Sequence, residues 1–124
     1  LTRKLRADGI TAEVIRGDVS ASNRTEIFAR FQNSPDPRVL VIQPQSAAHG
    51  VTLTAANTIV WWGPTSSLET YLQANARIHR AGQKHKCTVI QIAGSTAEKR
   101  IYKMLDERIN IHSSMIDLYK EMLD

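Results

Sequence analysis

Apolar residues recur along this chain in two rhythms, one of helical period and one of short continuous or alternating runs. Leu1 and Leu5 stand one turn apart, which predicts a helix over residues 1–7 that stops at Asp8-Gly9. Ala12 to Arg16 reads as a short strand ending at Gly17-Asp18. A helix then runs to Gln32, capped by Ser20 or Ser22, with Ile27, Phe28 and Phe31 on its apolar face. Asn33-Ser34-Pro35-Asp36-Pro37 ends it. Val39 to Ile42 is a continuous apolar run, the signature of a strand covered on both faces. A loop of small and polar residues follows, from Gln43 to Gly50. Thr58 to Trp62 is the next β-rich run, stopped by Gly63-Pro64. Ser66-Ser67-Leu68-Glu69 forms a capping box that opens a helix reaching into residues 73–83. Thr88 to Ile92 is a fourth strand. Ser95-Thr96-Ala97-Glu98 is a second capping box, for a helix with Ile101, Leu105 and Ile109 on one side.

Short strands alternating with helices predict an α/β fold, a parallel sheet flanked by helices. In such sheets ligands bind beyond the carboxyl ends of the strands. The loops after Ile42 and Trp62, and the helix that follows the second of them, fall at that edge.

That helix carries the most suggestive polar pattern. Wound at helical pitch, Gln73, Arg77 and Arg80 form one narrow stripe, with Tyr71, Ala74 and Ile78 opposite. Two permanently charged, planar guanidiniums beside Ala81-Gly82 suit a polyphosphate ligand, and equally a solvated basic face.

Composition narrows the partners only slightly. The chain has 124 residues, 42% of them hydrophobic, which is enough for one domain with a core. A net charge of +4 is compatible with a nucleotide or nucleic-acid partner. The single cysteine, Cys87, excludes an internal disulfide and fits a reducing compartment. Four scattered histidines give no metal-ligand spacing. No apolar run reaches membrane-spanning length, so no membrane partner is expected. The chain starts without Met in what reads as the middle of a helix, as a fragment would.

Gln73-Ala74-x-x-Arg77-x-His79-Arg80-x-Gly82-Gln83 resembles motif VI of the Swi/Snf-type DNA-dependent ATPases of helicase superfamily two. Two further segments agree in order. The stretch from His49 through Gly50-Val51-Thr52-Leu53 to Asn57 is similar to motif V, and Thr96-Ala97-Glu98-Lys99-Arg100-Ile101 to a Thr-x-Glu-Glu-Arg-Ile segment. The likeness extends from Leu1 to about Arg108. It implies the second, C-terminal RecA-like lobe of a two-lobed motor, over residues 1–109, with a helical extension over residues 110–124. It also implies that the lobe's first strand lies outside this sequence and holds an interior place in the sheet, leaving a gap.

On that resemblance the full-length protein is an ATP-dependent DNA translocase or helicase-like motor. ATP and its Mg2+ ion sit on the first lobe, since no Gly-x-x-x-x-Gly-Lys-Ser/Thr loop and no Asp-Glu-x-His occur here. Arg77 and Arg80 are the implied arginine fingers. Gly50, Thr52 and Gln73 join them as nucleotide-side residues. Gln45 and Ser46, with Lys84 and Lys86 beside His85, are the implied contacts to double-stranded DNA. The partners are then DNA and the N-terminal lobe of the same protein, in the cytoplasm or nucleoid, or in a nucleus. The isolated fragment is expected to be inactive.

Several positions depart from the family pattern. Thr52 replaces an Asn, Gln43-Pro44-Gln45 replaces Ser-Thr-Arg, and Asp18 stands where a Ser or Thr is usual. Pro44 has no N–H for a phosphate and Asp18 repels one, so the nucleotide side is better preserved than the DNA side. Two alternatives stay open: a non-catalytic RecA-like clamp, and another superfamily-two motor. His79 reads as a packed or capping residue. One of Trp61 and Trp62 reads as core. Beyond Ile111, the Met115, Leu118 and Met122 stripe is a packing face or a docking surface, separable by a break at Asn110 or Ser113-Ser114.

Overall fold

A computed structural model describes residues 1–47 and 50–123. Ala48, His49 and Asp124 lie outside the described residues. The order is α1 (Thr2–Ala7), β1 (Ala12–Ile15), α2 (Ala21–Asn33), β2 (Val39–Ile42), a 3₁₀ turn (Pro44–Ala47), β3 (Thr58–Trp61), α3 (Leu68–Asn75), β4 (Thr88–Gln91) and α4 (Thr96–Leu123). Each expected element is present.

The ends follow from the residues that stand there. Helix α1 closes as a Schellman motif: Gly9 takes φ +80°, its N–H reaches Arg6 O, and the Ile10 N–H reaches Leu5 O at 2.9 Å. Ser20, rather than Ser22, caps α2 by accepting from the Asn23 N–H. Ser95 does the same for α4, accepting from the Glu98 N–H at 3.1 Å.

The strands pair as β1 with β2 and β3 with β4, both parallel, each through a helical crossover. They form two separate two-stranded sheets, which corrects the expectation of one sheet and agrees with the expectation of a gap. Strand β2 departs from expectation too: its four apolar residues are all half-buried rather than covered on both faces.

The core sits between β3, α3 and α4. Trp61, Tyr71, Tyr102 and Leu105 are buried together, with Ile59, Ile101 and Ile109 packed around them. The Trp61 and Tyr71 rings lie 4.8 Å apart, tilted by 36°. Polar atoms in this cluster are matched. Trp61 Nε1 donates to Asn75 Oδ1 at 2.9 Å, and the Tyr102 hydroxyl donates to Ile92 O at 2.9 Å. Burial first, then the nearby Glu98 charge, raises the Tyr102 phenol above its usual range. Trp61 is thus both the core tryptophan and the residue under α3, while Trp62 is 67% exposed.

Helix α4 corrects another expectation. It runs unbroken from Thr96 to Leu123, through Asn110 and Ser113-Ser114. Its first half buries Tyr102 and Leu105. Residues 111–122 are all exposed, including Ile111, Met115 and Leu118.

Leu105 is 1% exposed, so Leu105→Ala should lower unfolding stability by about 2–5 kcal/mol in a denaturant titration. Trp62→Ser should shift the same curve by no more than about 0.5 kcal/mol.

Candidate functional site

The site is built from two irregular segments that satisfy each other's polar groups. One is the turn after α3, residues 76–83. The other is the strap of residues 50–57 that leads into β3.

Helix α3 is shorter than the sequence pattern suggests. Its N-cap is Ser67, whose side chain accepts from the Thr70 N–H at 3.2 Å. Glu69 therefore falls one place short of the capping-box position, and its carboxylate accepts from Gln73 Nε2 at 3.1 Å. At the far end the helix stops at Asn75. The Arg77 N–H bonds to Ala74 O and the Ile78 N–H to Asn75 O, a tighter i to i+3 pattern that carries the chain into turns. Gly82, at φ +97°, turns it away. Arg77 and Arg80 thus lie beyond the helix and not on a helical stripe. The apolar side is as expected: Tyr71 and Ile78 are each 3% exposed.

The strap and the turn are joined at four places. The Leu53 N–H donates to Arg77 O at 2.8 Å. Gln83 Nε2 donates to Ala56 O at 2.7 Å and to Ile78 O at 2.9 Å, tying its own turn to the strap. Arg80 Nη1 donates to the carbonyl oxygens of Gly50 and Val51, at 3.2 Å each. Leu53 is itself buried beneath.

Arg77 is held differently from Arg80. Its Nε donates to Gln73 O at 2.8 Å, whereas its Nη1 is buried and finds no hydrogen-bond partner among the described residues. Burial, and secondarily the Arg80 charge, lowers the Arg77 guanidinium from its ordinary range. Two neighbouring cations and an unpartnered buried N–H set up demand for an anion. Gly50, at φ +78°, lies against this group; a Cβ there would come 3.7 Å from Arg77 Nη1.

The structure brings Gly50, Arg77 and Arg80 together. Thr52 lies on the same strap and is exposed. Gln73 contributes its carbonyl oxygen to Arg77, while its side-chain amide points to Glu69. Gln45 and Ser46 sit in the 3₁₀ turn at the carboxyl end of β2, which packs against α3. Lys84, His85 and Lys86 are exposed in the link to β4. His79 is exposed too, which removes the packed one of its two readings, packed or capping. Asp18 forms an exposed ion pair with Arg16 Nε at 3.0 Å. Among the described residues no group of three or more His, Cys, Asp and Glu is placed to hold a metal ion.

The side chains of Gln32, Asn75 and Gln83 bond to the strap, to Trp61 and to the turn, and sequence patterning singles out none of them for it. An amide on a polar helix end carries no periodic signal. Gln83 is part of the recognisable motif, but nothing in the motif says which carbonyls it binds.

Arg77 and Arg80 stand in the connection from α3 to the amino end of β4, against the strap that enters the amino end of β3, and not in a loop that leaves the carboxyl end of a strand, which corrects the expected edge. The sequence profile of the helicase conserved C-terminal domain matches residues 1–82, and the chain belongs to that family, on its Swi/Snf-type branch of superfamily two. It is 32% identical over 114 residues to the human DNA annealing helicase and endonuclease ZRANB3, covering 88% of this chain and 10% of that protein. It is 31% identical over 118 residues to an Arabidopsis thaliana protein provisionally named as a SWI/SNF-related matrix-associated actin-dependent regulator of chromatin, subfamily A member 3-like 1. That match covers 90% of this chain and 13% of the relative. The chain thus spans about a tenth of the length of these curated relatives. Among solved structures, the C-terminal part of the Fun30 ATPase domain has the same fold, with TM-score 0.74 at 18% identity, covering 83% of this chain and 33% of that one. The C-terminal domain of the DEAD-box protein Dbp5 also matches, with TM-score 0.70 at 20% identity over 86% of this chain and 61% of the other.

Because Gly50 holds a left-handed φ, Gly50→Ala should cost about 1–2 kcal/mol of stability, measured by chemical denaturation. Gly17→Ala, with a negative φ and open space at its Cβ, should cost less.

Proposed function

We propose that this lobe completes an ATPase site in a two-lobed, DNA-stimulated motor by supplying Arg77 and Arg80 to a nucleotide held on a partner lobe. The observation that carries the reading is the buried, unpartnered Nη1 of Arg77 beside Arg80. A pure clamp for nucleic acid has no need of a guanidinium with a desolvated, unpartnered nitrogen.

ATP is the substrate, and the phosphate loop and Mg2+ belong to the first lobe. When the lobes meet, Arg80 exchanges its two carbonyl partners for phosphate oxygens. Its present bonds to Gly50 O and Val51 O hold it in place without burying it. Arg77 is fixed at Nε by Gln73 O, so its other nitrogens are oriented in advance. Charge building on the transferring phosphoryl group meets two cations already in position, which lowers the barrier more than it tightens ground-state binding. Thr52 and the Gly50 backbone face the same nucleotide. Gln73 positions Arg77 through its carbonyl.

Double-stranded DNA runs along the edge marked by Gln45 and Ser46, with Lys84 and Lys86 as weaker, salt-screened contacts. Opening and closing of the two lobes then steps the motor along the duplex. The protein works wherever that DNA is, in a nucleoid or a nucleus; among the described residues no helix is long and apolar enough to cross a membrane.

In the full-length protein, Arg80→Ala should reduce DNA-stimulated ATP turnover by about 10³–10⁵-fold while ATP binding changes little. Wild-type turnover in that variant would return the lobe to a non-catalytic clamp. The purified 124-residue chain should hydrolyse no ATP; turnover that Arg80→Ala abolishes in the isolated chain would contradict the two-lobe site.

A further inference from the structure

The strap of residues 50–57 is gripped on one side by Arg77, Arg80 and Gln83. On the other side it meets the end of α2, where the Gln32 amide forms a two-point clamp. Gln32 Nε2 donates to Thr54 Oγ1 at 2.8 Å, and Gln32 Oε1 accepts from the Ala55 N–H at 2.9 Å. A backbone N–H can only donate, so the Ala55 bond fixes which end of the amide is oxygen. Both bonds are short, and they bridge 22 and 23 residues of sequence.

We infer that Gln32 is a positioning residue for the two arginines, acting through the strap. The inference rests on the proposed ATPase role of Arg77 and Arg80. The path is short and each step is a hydrogen bond. Gln32 fixes Thr54 and Ala55. The adjoining Leu53 N–H holds Arg77 O, Ala56 O holds Gln83, and the Gly50 and Val51 carbonyls hold Arg80. Thr54 also underlies the turn on the other side, since a Cβ on Gly82 would lie 3.9 Å from its Oγ1. The strap has no helix or strand of its own from Val51 to Asn57, so these side-chain bonds set its shape.

The clamp also joins the two halves of the split fold. Helix α2 belongs to the crossover between β1 and β2, and the strap runs directly into β3. With no strand pairing between the two sheets, a side-chain bridge of this kind carries the register between them. Loss of the clamp frees the strap to shift relative to α2, and the arginines shift with it. A misplacement of about 1 Å at a transition-state contact can cost on the order of a hundredfold in rate.

Chemistry provides a graded test in the full-length protein. Gln32→Met keeps the volume and removes both bonds. Gln32→Glu keeps both, because a carboxylate accepts from the Ala55 N–H and from the Thr54 hydroxyl turned to donate. Gln32→Met should lower kcat by about ten- to a hundredfold with KM for ATP changed less than about threefold, and Gln32→Glu should recover turnover to within about threefold of wild type. Hydrogen exchange should rise in residues 53–57 and 76–83 for Gln32→Met and remain near wild type for Gln32→Glu. If Gln32→Met does not fold, Thr54→Val removes one bond at constant shape and should give a smaller loss of kcat with the same exchange signature.

Adding Gln32→Met to Arg80→Ala should lower turnover by a smaller factor than Gln32→Met does alone, since only its effect through Arg77 remains. Wild-type kcat in folded Gln32→Met, or equal losses in Gln32→Met and Gln32→Glu, would overturn the positioning role. Full turnover in Arg80→Ala would instead overturn the ATPase reading on which it rests.

Discussion

The hydrogen bond from the Leu53 N–H to Arg77 O joins two stretches of chain that have no regular structure of their own. Residues 50–57 and 76–83 both carry backbone groups that neither a helix nor a strand can satisfy. Each supplies the other's partners, through Leu53, Arg80 and Gln83. The arrangement works only because both segments are anchored: Leu53, Ile78 and Tyr71 are buried behind them. Packing thus determines where the two guanidiniums lie, and the guanidiniums in turn hold the strap.

The same frame explains why the two arginines differ. Arg80 is exposed and rests on two carbonyl oxygens, which it can exchange for stronger, charged acceptors. Arg77 is desolvated on one nitrogen and tied at another. A buried cation with unmet hydrogen-bonding capacity is costly in an isolated lobe and useful at an interface where an anion arrives. The lobe's stability and its readiness for a ligand therefore pull against each other at one residue.

Much of the fold was legible in the sequence because it rests on local signals. The apolar runs at Val39 and Thr58, the caps at Ser20 and Ser95, and the stop at Asp8-Gly9 each act within a few residues. What failed was long-range or cooperative. The helical stripe through Arg77 and Arg80 was an extrapolation past Asn75, where Trp61 takes the asparagine side chain and the backbone tightens into turns. The expected break near Asn110 did not form, since Asn and Ser lower helix propensity only slightly and the flanking residues favour the helix. The split of the sheet agrees with the resemblance, not with any local pattern. For the site, residue identities were readable and the clamps were not, because Gln32 and Gln83 bind backbone and hydroxyl groups far away in sequence.

The central claim is that the arginine pair recognises charge that exists only in the transition state. The direct measurement is the affinity of the full-length protein for ADP with a metal fluoride, a mimic of the transferring phosphoryl group, compared with its affinity for ADP alone. The account predicts that Arg80→Ala weakens binding of the mimic by at least about a hundredfold and leaves ADP binding within a few-fold. Equal weakening of both, or of neither, would contradict it.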